Sequence, residues 1–124
     1  PLNDLYPEAI PVASRTQIIA GYAEILTVIT GNTVERFSIE IQKINTQDYP
    51  SSKGLVIRVT DPRLLSRTGG IIQGMSGSPI IQNGKLVGAV THVSIMDPTI
   101  GYGCFADWML MESGLISKAA PEQE

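Results

Sequence analysis

Twelve glycines and eight prolines cut this 124-residue chain into short segments, and several of those segments are rich in β-branched residues. Such punctuation suits a small all-β barrel or sandwich, in which each strand runs a few residues before a turn residue reverses it. Helical stripes are scarce. Residues 18–30 and 33–44 alternate, with Phe37, Ile39 and Ile41 on one face and Ser38, Glu40 and Gln42 on the other. Gly31-Asn32 lies between them, and both residues accept positive φ, so the two segments read as a long hairpin.

A polar stretch at 45–53 leads to a strand over 54–60, which Asp61-Pro62 stops because proline cannot donate to a ladder. Residues 63–74 read as a structured loop delivering the chain to a turn at Gly74. A second hairpin pairs 80–82 with 85–93 through Asn83-Gly84, the dipeptide best suited to a two-residue reversal. After a loop at 96–101, a short strand through Tyr102 and Phe105 precedes a helix at about 106–113, closed by Gly114. Trp108, Met109 and Met111 on that helix read as core. Pro1, Pro7 and Pro11 mark residues 1–17 as an arm arriving from a preceding half; 18–117 form the barrel, and 118–124 a frayed tail.

Composition narrows the chemistry. With 43% hydrophobic and 17% charged residues, the chain is one ordinary globular core. A formal net charge of -3 supplies no basic field for nucleic acid or an anionic membrane. No apolar run approaches the roughly 20 residues of a spanning helix, and a targeting segment would lie outside these residues. One cysteine, Cys104, excludes an intramolecular disulfide and a multi-cysteine zinc site and reads as a buried small apolar group; one histidine, His92, excludes a His-rich metal centre. No metal or cofactor is expected. Chemistry falls to hydroxyls, carboxylates, backbone amides, or groups on another chain.

Gly74-Met75-Ser76-Gly77-Ser78-Pro79, directly before a strand, is the sharpest motif. A nucleophilic serine sits on a tight turn so that its own amide and one two residues earlier can converge on the carbonyl oxygen under attack. Gly74 and Gly77 permit such a turn and a close substrate approach, and Pro79 releases the chain into the strand. Ser76 is the candidate nucleophile, with the amides of Gly74 and Ser76 as oxyanion donors. The α/β-hydrolase elbow needs glycine where Ser78 stands and a helix afterwards, and a phosphate loop needs Gly-Lys-Ser/Thr; neither pattern is present.

Ser76-Gly77-Ser78-Pro79, the hairpin after it, Gly88-Ala89-Val90-Thr91-His92-Val93, Gly101-Tyr102-Gly103 and a terminal helix resemble the second β-barrel of chymotrypsin-like serine proteases. Asp61-Pro62-Arg63-Leu64-Leu65 and the run from Gly69 through Lys85 resemble, more specifically, the stage IV sporulation protein B family of self-cleaving serine peptidases, over about residues 21–115. The resemblance implies an endopeptidase, with a PDZ domain ahead of it, exported to the space between the mother-cell and forespore membranes. There it would cut a regulatory protein of a membrane protease complex, releasing a late sigma factor. It assigns Ser76 as nucleophile and Asp61 as the acid of a Ser-His-Asp triad. The family's histidine lies in an upstream Gly-His motif that this chain does not contain. A missing N-terminal barrel or another subunit would supply it, and the chain alone should be inactive.

Each residue also has a plainer reading. An Asp before Pro commonly satisfies local amides in a turn; Asp4, Asp97 and Asp107 are other carboxylates. His92, sixteen positions after Ser76, reads as a wall of the substrate cleft rather than as the base. Thr91 and Val93 beside it would offer backbone groups to an extended polypeptide substrate. The rival to a peptidase is a catalytically inactive peptide-binding module. Half of a two-barrel protease would also leave an apolar face exposed, covered by retained N-terminal sequence or by a homo-oligomer.

Overall fold

The computed structural model describes residues 10–29, 31–45, 53–71 and 73–107. Within them six strands close into one antiparallel barrel: β1 (Gly21–Thr27), β2 (Glu35–Ile44), β3 (Leu55–Val59), β4 (Pro79–Gln82), β5 (Lys85–Val93) and β6 (Ile100–Phe105). Around the barrel the order is β1-β2-β3-β6-β5-β4, with β4 returning to β1 through Glu24↔Ile81 and Ile25↔Ile80. The all-β barrel read from the sequence is the fold observed.

Alternation drives the closure. Phe37, Ile39 and Ile41 of β2 point inward and are fully buried, while Glu40 and Gln42 face solvent. Ile25, Leu55, Ile57, Ile80, Val87 and Val90 complete the interior. Ala13 and Ile18 also belong to this core, and Val12 bridges Leu86 in parallel, so residues before β1 are packed on the barrel. Two glycines let the β5–β6 wall come close: a Cβ on Gly88 would lie 2.2 Å from the Cys104 carbonyl oxygen, and one on Gly103 2.8 Å from that of Ala89. At the reversal between β4 and β5, Asn83 (φ 54°) and Gly84 (φ 75°) take the paired left-handed conformations of a type I′ turn.

The stretch read as a loop after Asp61 is different. Pro62–Thr68 is a helix, α1, and Gln73–Met75 a 3₁₀ turn. Asp61-Pro62 ends β3 and starts α1 at once, since Pro fits the first helical position and the Asp61 carboxylate accepts the otherwise orphaned Arg63 N–H. Gly69 closes the helix at φ 76°. Cys104 is a second correction: it is only half-buried, because it falls on the outward-facing positions of β6. The expected helix at 106–113 has its first two residues helical; the rest, with Trp108, Met109, Met111 and the tail, lies outside the described residues.

One end of the barrel gathers the ends of β1, β3 and β5 and the beginnings of β2, β4 and β6. α1 and the turn before β4 lie at this end, because both belong to the connection from β3 to β4.

Candidate active site

Ser76 projects from that end. The turn holding it is fastened at three points: Met75 is buried in the core, Ser78 N–H donates to the Met75 carbonyl (3.0 Å), and Gly77 N–H donates to the Val90 carbonyl (2.7 Å). Gly77 stands at φ 93°, a conformation that a side chain would strain. Ser76 is exposed, and its Oγ donates to the Thr91 carbonyl at 3.0 Å. Its neighbours are therefore rigid while its hydroxyl meets solvent.

The strand under that hydroxyl has an uncovered edge. β4 accompanies β5 only from Lys85 to Ala89, and the Gly77–Ser78 backbone covers Val90, donating to its carbonyl and accepting its N–H. Beyond that point, among the described residues, the β5 ladder pairs on one side alone, with β6. Ser94 N–H donates to the Ile100 carbonyl, so 94:100 is a hydrogen-bonded pair. By antiparallel alternation 92:102 is another, and 93:101, between them, is not. The N–H and C=O of Val93 consequently point off the sheet. So does the Thr91 carbonyl, which meets Ser76 at the bulge between Val90 and His92. Ser76, Thr91, His92, Val93 and Ile95 together line a cavity of about 350 Å³. Closed barrels have no free edges; this overhang restores a short one beside the serine.

His92 shares the cavity with Ser76, but its ring packs across the ladder against Tyr102, with centroids 5.4 Å apart. No hydrogen bond joins it to Ser76 or to a carboxylate among the described residues.

Asp61 sits at the same end of the barrel, at the junction of β3 and α1. Its oxygens accept from Ser38 N–H (3.0 Å), Arg63 N–H (2.9 Å) and the Arg63 guanidinium (3.3 Å at Nε). Burial pushes the carboxyl up, but the bonds from the Arg63 side chain and from the Ser38 and Arg63 amides outweigh it and hold the pKa below the usual Asp range. None of these bonds reaches Ser76 or His92. The barrel thus brings Ser76 and the β5 edge into contact and places Asp61 at their end of the molecule with its carboxylate bound elsewhere.

The expected oxyanion donors, Gly74 and Ser76, flank Met75 in and just after the 3₁₀ turn. A turn over Gln73–Met75 directs the Ser76 amide back at the carbonyl three residues earlier, whereas the Gly74 amide, among the first of the turn, lies ahead of that bonding pattern.

Two features escaped the sequence reading. Ile95 joins the cavity wall from the loop after β5, and a second cavity of about 350 Å³ lies across the turn, between Ser76 and residues Leu26, Val28 and Val34. Chain pattern carries no signal for either, since both arise where segments far apart in sequence meet.

A closed antiparallel barrel presenting a serine hydroxyl on a fastened glycine turn, beside an uncovered strand edge, has the parts of a hydrolase acting on extended chains. The family model described as SpoIVB peptidase S55 matches residues 1–110, and the chain belongs to this family of serine peptidases. No curated protein matches the chain.

Proposed function

We propose that this barrel carries the nucleophile of a serine endopeptidase that cuts a polypeptide bound in extended form along the overhanging edge of β5. The observation that carries the reading is the Ser76 hydroxyl resting on the Thr91 carbonyl at the start of that edge. A peptide running antiparallel to β5 would pair with the N–H and C=O of Val93 and then offer an N–H to the Thr91 carbonyl. The residue offering it would bring its own carbonyl beside Ser76 Oγ, and the serine hydroxyl would leave Thr91 as the peptide takes its place.

Catalysis then needs a base. Ser76 Oγ attacks the carbonyl carbon while its proton passes to an imidazole, and the carbonyl oxygen becomes an oxyanion. The same proton goes to the departing amine as the C–N bond breaks, and water then releases the acyl group from Ser76. We assign the imidazole to a segment preceding this chain or to another subunit, since His92 is engaged with Tyr102. Asp61 is the candidate to orient it, as family resemblance suggests, through an oxygen that also caps α1. The Gly74 and Ser76 amides would receive the oxyanion once the turn unwinds at Gly74, which glycine allows.

The finer biology follows from resemblance to sporulation peptidases. The full protein would include a PDZ domain, cleave itself, and act between the mother-cell and forespore membranes. There it would cut a regulatory protein of a membrane protease complex and trigger late sigma-factor activation. The engagement of His92 with Tyr102 equally favours a second reading, a peptide-binding module without catalysis. Intact-mass spectrometry after fluorophosphonate treatment separates the two. Labelling of a longer protein containing the upstream Gly-His segment, lost in Ser76→Ala, supports the peptidase; no labelling of either form supports the binding module.

A further inference from the structure

Ser78 and Gly77 decide where a bound peptide goes after it passes the nucleophile. Gly77 N–H donates to the Val90 carbonyl, and Val90 N–H donates to the Ser78 carbonyl (2.9 Å). The β5 edge is therefore occupied from Val90 onward, and a peptide descending it from Val93 to Thr91 cannot continue along the strand. It must leave β5 at Ser76 and cross the turn.

What it meets there is the second cavity. Leu26 and Val28 from the end of β1, Val34 before β2, and Pro79 opening β4 form the apolar walls, with Gly74 and Gly77 on the turn side. Thr27 and Ser78 contribute hydroxyl-bearing residues, and no charged residue lines it among the described residues. Its volume of about 350 Å³ lies at the low end of the roughly 300–1,000 Å³ typical of ligand pockets. Val28 is 42% exposed, so its side chain is open to a ligand in this groove. The two cavities share Ser76, and so flank the nucleophile on its two sides.

We infer that this groove is the subsite for the leaving side of the substrate, and that it selects an aliphatic side chain within the first two residues after the scissile bond. The inference rests on the peptidase reading above. Its physical basis is desolvation: an aliphatic group gains by leaving water for the Leu26, Val28 and Val34 surface, whereas a carboxylate entering the same groove finds no charged partner there.

The test uses the full-length protease and peptides identical up to the cut, with Leu, Ser or Glu at the two following positions. Leu should exceed Glu in kcat/KM by about tenfold or more. Val34→Lys and Val28→Lys, which give a carboxylate a partner and disfavour an aliphatic group, should shrink that ratio severalfold, without altering preferences before the cut. Equal rates for Leu and Glu, or a preference unmoved by both variants, would overturn the inference and assign the groove to another segment. A binding measurement separates its failure from that of catalysis. In the Ser76→Ala chain, Leu-Val-Ala-Ala amide should shift the methyl resonances of Val28 and Val34, and Glu-Glu-Ala-Ala amide should not. Absence of those shifts counts against the groove even if the enzyme proves active; their presence supports it even if no peptide is cleaved.

Discussion

Asp61 has two claims on it, and they are separable at the level of one side chain. Its carboxylate caps α1 through Arg63 N–H and ties β2 to the same point through Ser38 N–H. Asp61→Ala should therefore destabilise the fold by about 1–3 kcal/mol, read from urea unfolding. The pH dependence has a definite sign. A carboxyl held below its unfolded pKa contributes stability that is complete above that value and is lost as pH falls through the folded one. Wild-type stability should accordingly drop below about pH 4, and Asp61→Asn should flatten that part of the profile. Equal acid sensitivity in the variant would place the responsible carboxylate elsewhere. Ser76 is the opposite case: its exposed hydroxyl makes one bond, to Thr91, so Ser76→Ala should change stability by no more than about 0.5 kcal/mol. Fluorophosphonate labelling of the complete protease should vanish in the same variant.

Elements show how glycine serves two purposes in one chain. Gly88 lies where β5 meets β6, and a Cβ there would sit 2.2 Å from a backbone oxygen, which cannot swing away as a side chain would. Gly88→Ala should cost roughly 1–3 kcal/mol or more by forcing the barrel wall apart. Gly74 has open space around its Cβ position and no positive φ in the wound turn. Gly74→Ala should leave the melting temperature almost unchanged, yet slow acylation by about 10- to 100-fold if the turn must unwind there to receive the oxyanion. A full-rate Gly74→Ala enzyme would remove that requirement. The strands themselves were legible because their signal is local: Phe37-Ser38-Ile39-Glu40-Ile41 declares its two faces, and Asn83-Gly84 its reversal. α1 was not, since seven residues are too few to show a stripe and its best marker, Asp61-Pro62, equally ends a strand. Ser76 stood out as a candidate by its glycines, and the backbone groups of Thr91 and Val93 were expected to meet a substrate, but the reason that stretch of β5 is an edge was not legible. That edge exists because β5 outlasts β4 by several residues, a difference visible only once the two are paired.

For the molecule as a whole, closure is the governing fact. β1 meets β4 across more than fifty residues, and β3 meets β6 across more than forty, so the two pairings that close the barrel carry a large loop-entropy cost. The barrel should therefore unfold as one cooperative unit and refold on a millisecond-to-second timescale, slower than a helical domain of similar length. Resistance to local opening should nevertheless vary around it. Buried ladder amides of β2 and β3 should exchange with solvent only through global unfolding. Val93 N–H, turned away from β6 and uncovered by β4, should exchange orders of magnitude faster. Hydrogen exchange resolved by NMR gives both values on one sample, and an extended peptide should slow Val93 while leaving the β2 and β3 amides as they were. Slow exchange at Val93 in the free chain would mean that the β5 edge is already covered, and the strand-addition mode of substrate binding would fall with it. Fast exchange suppressed by peptide would tie this overhanging stretch of β5 to the place where Ser76 waits.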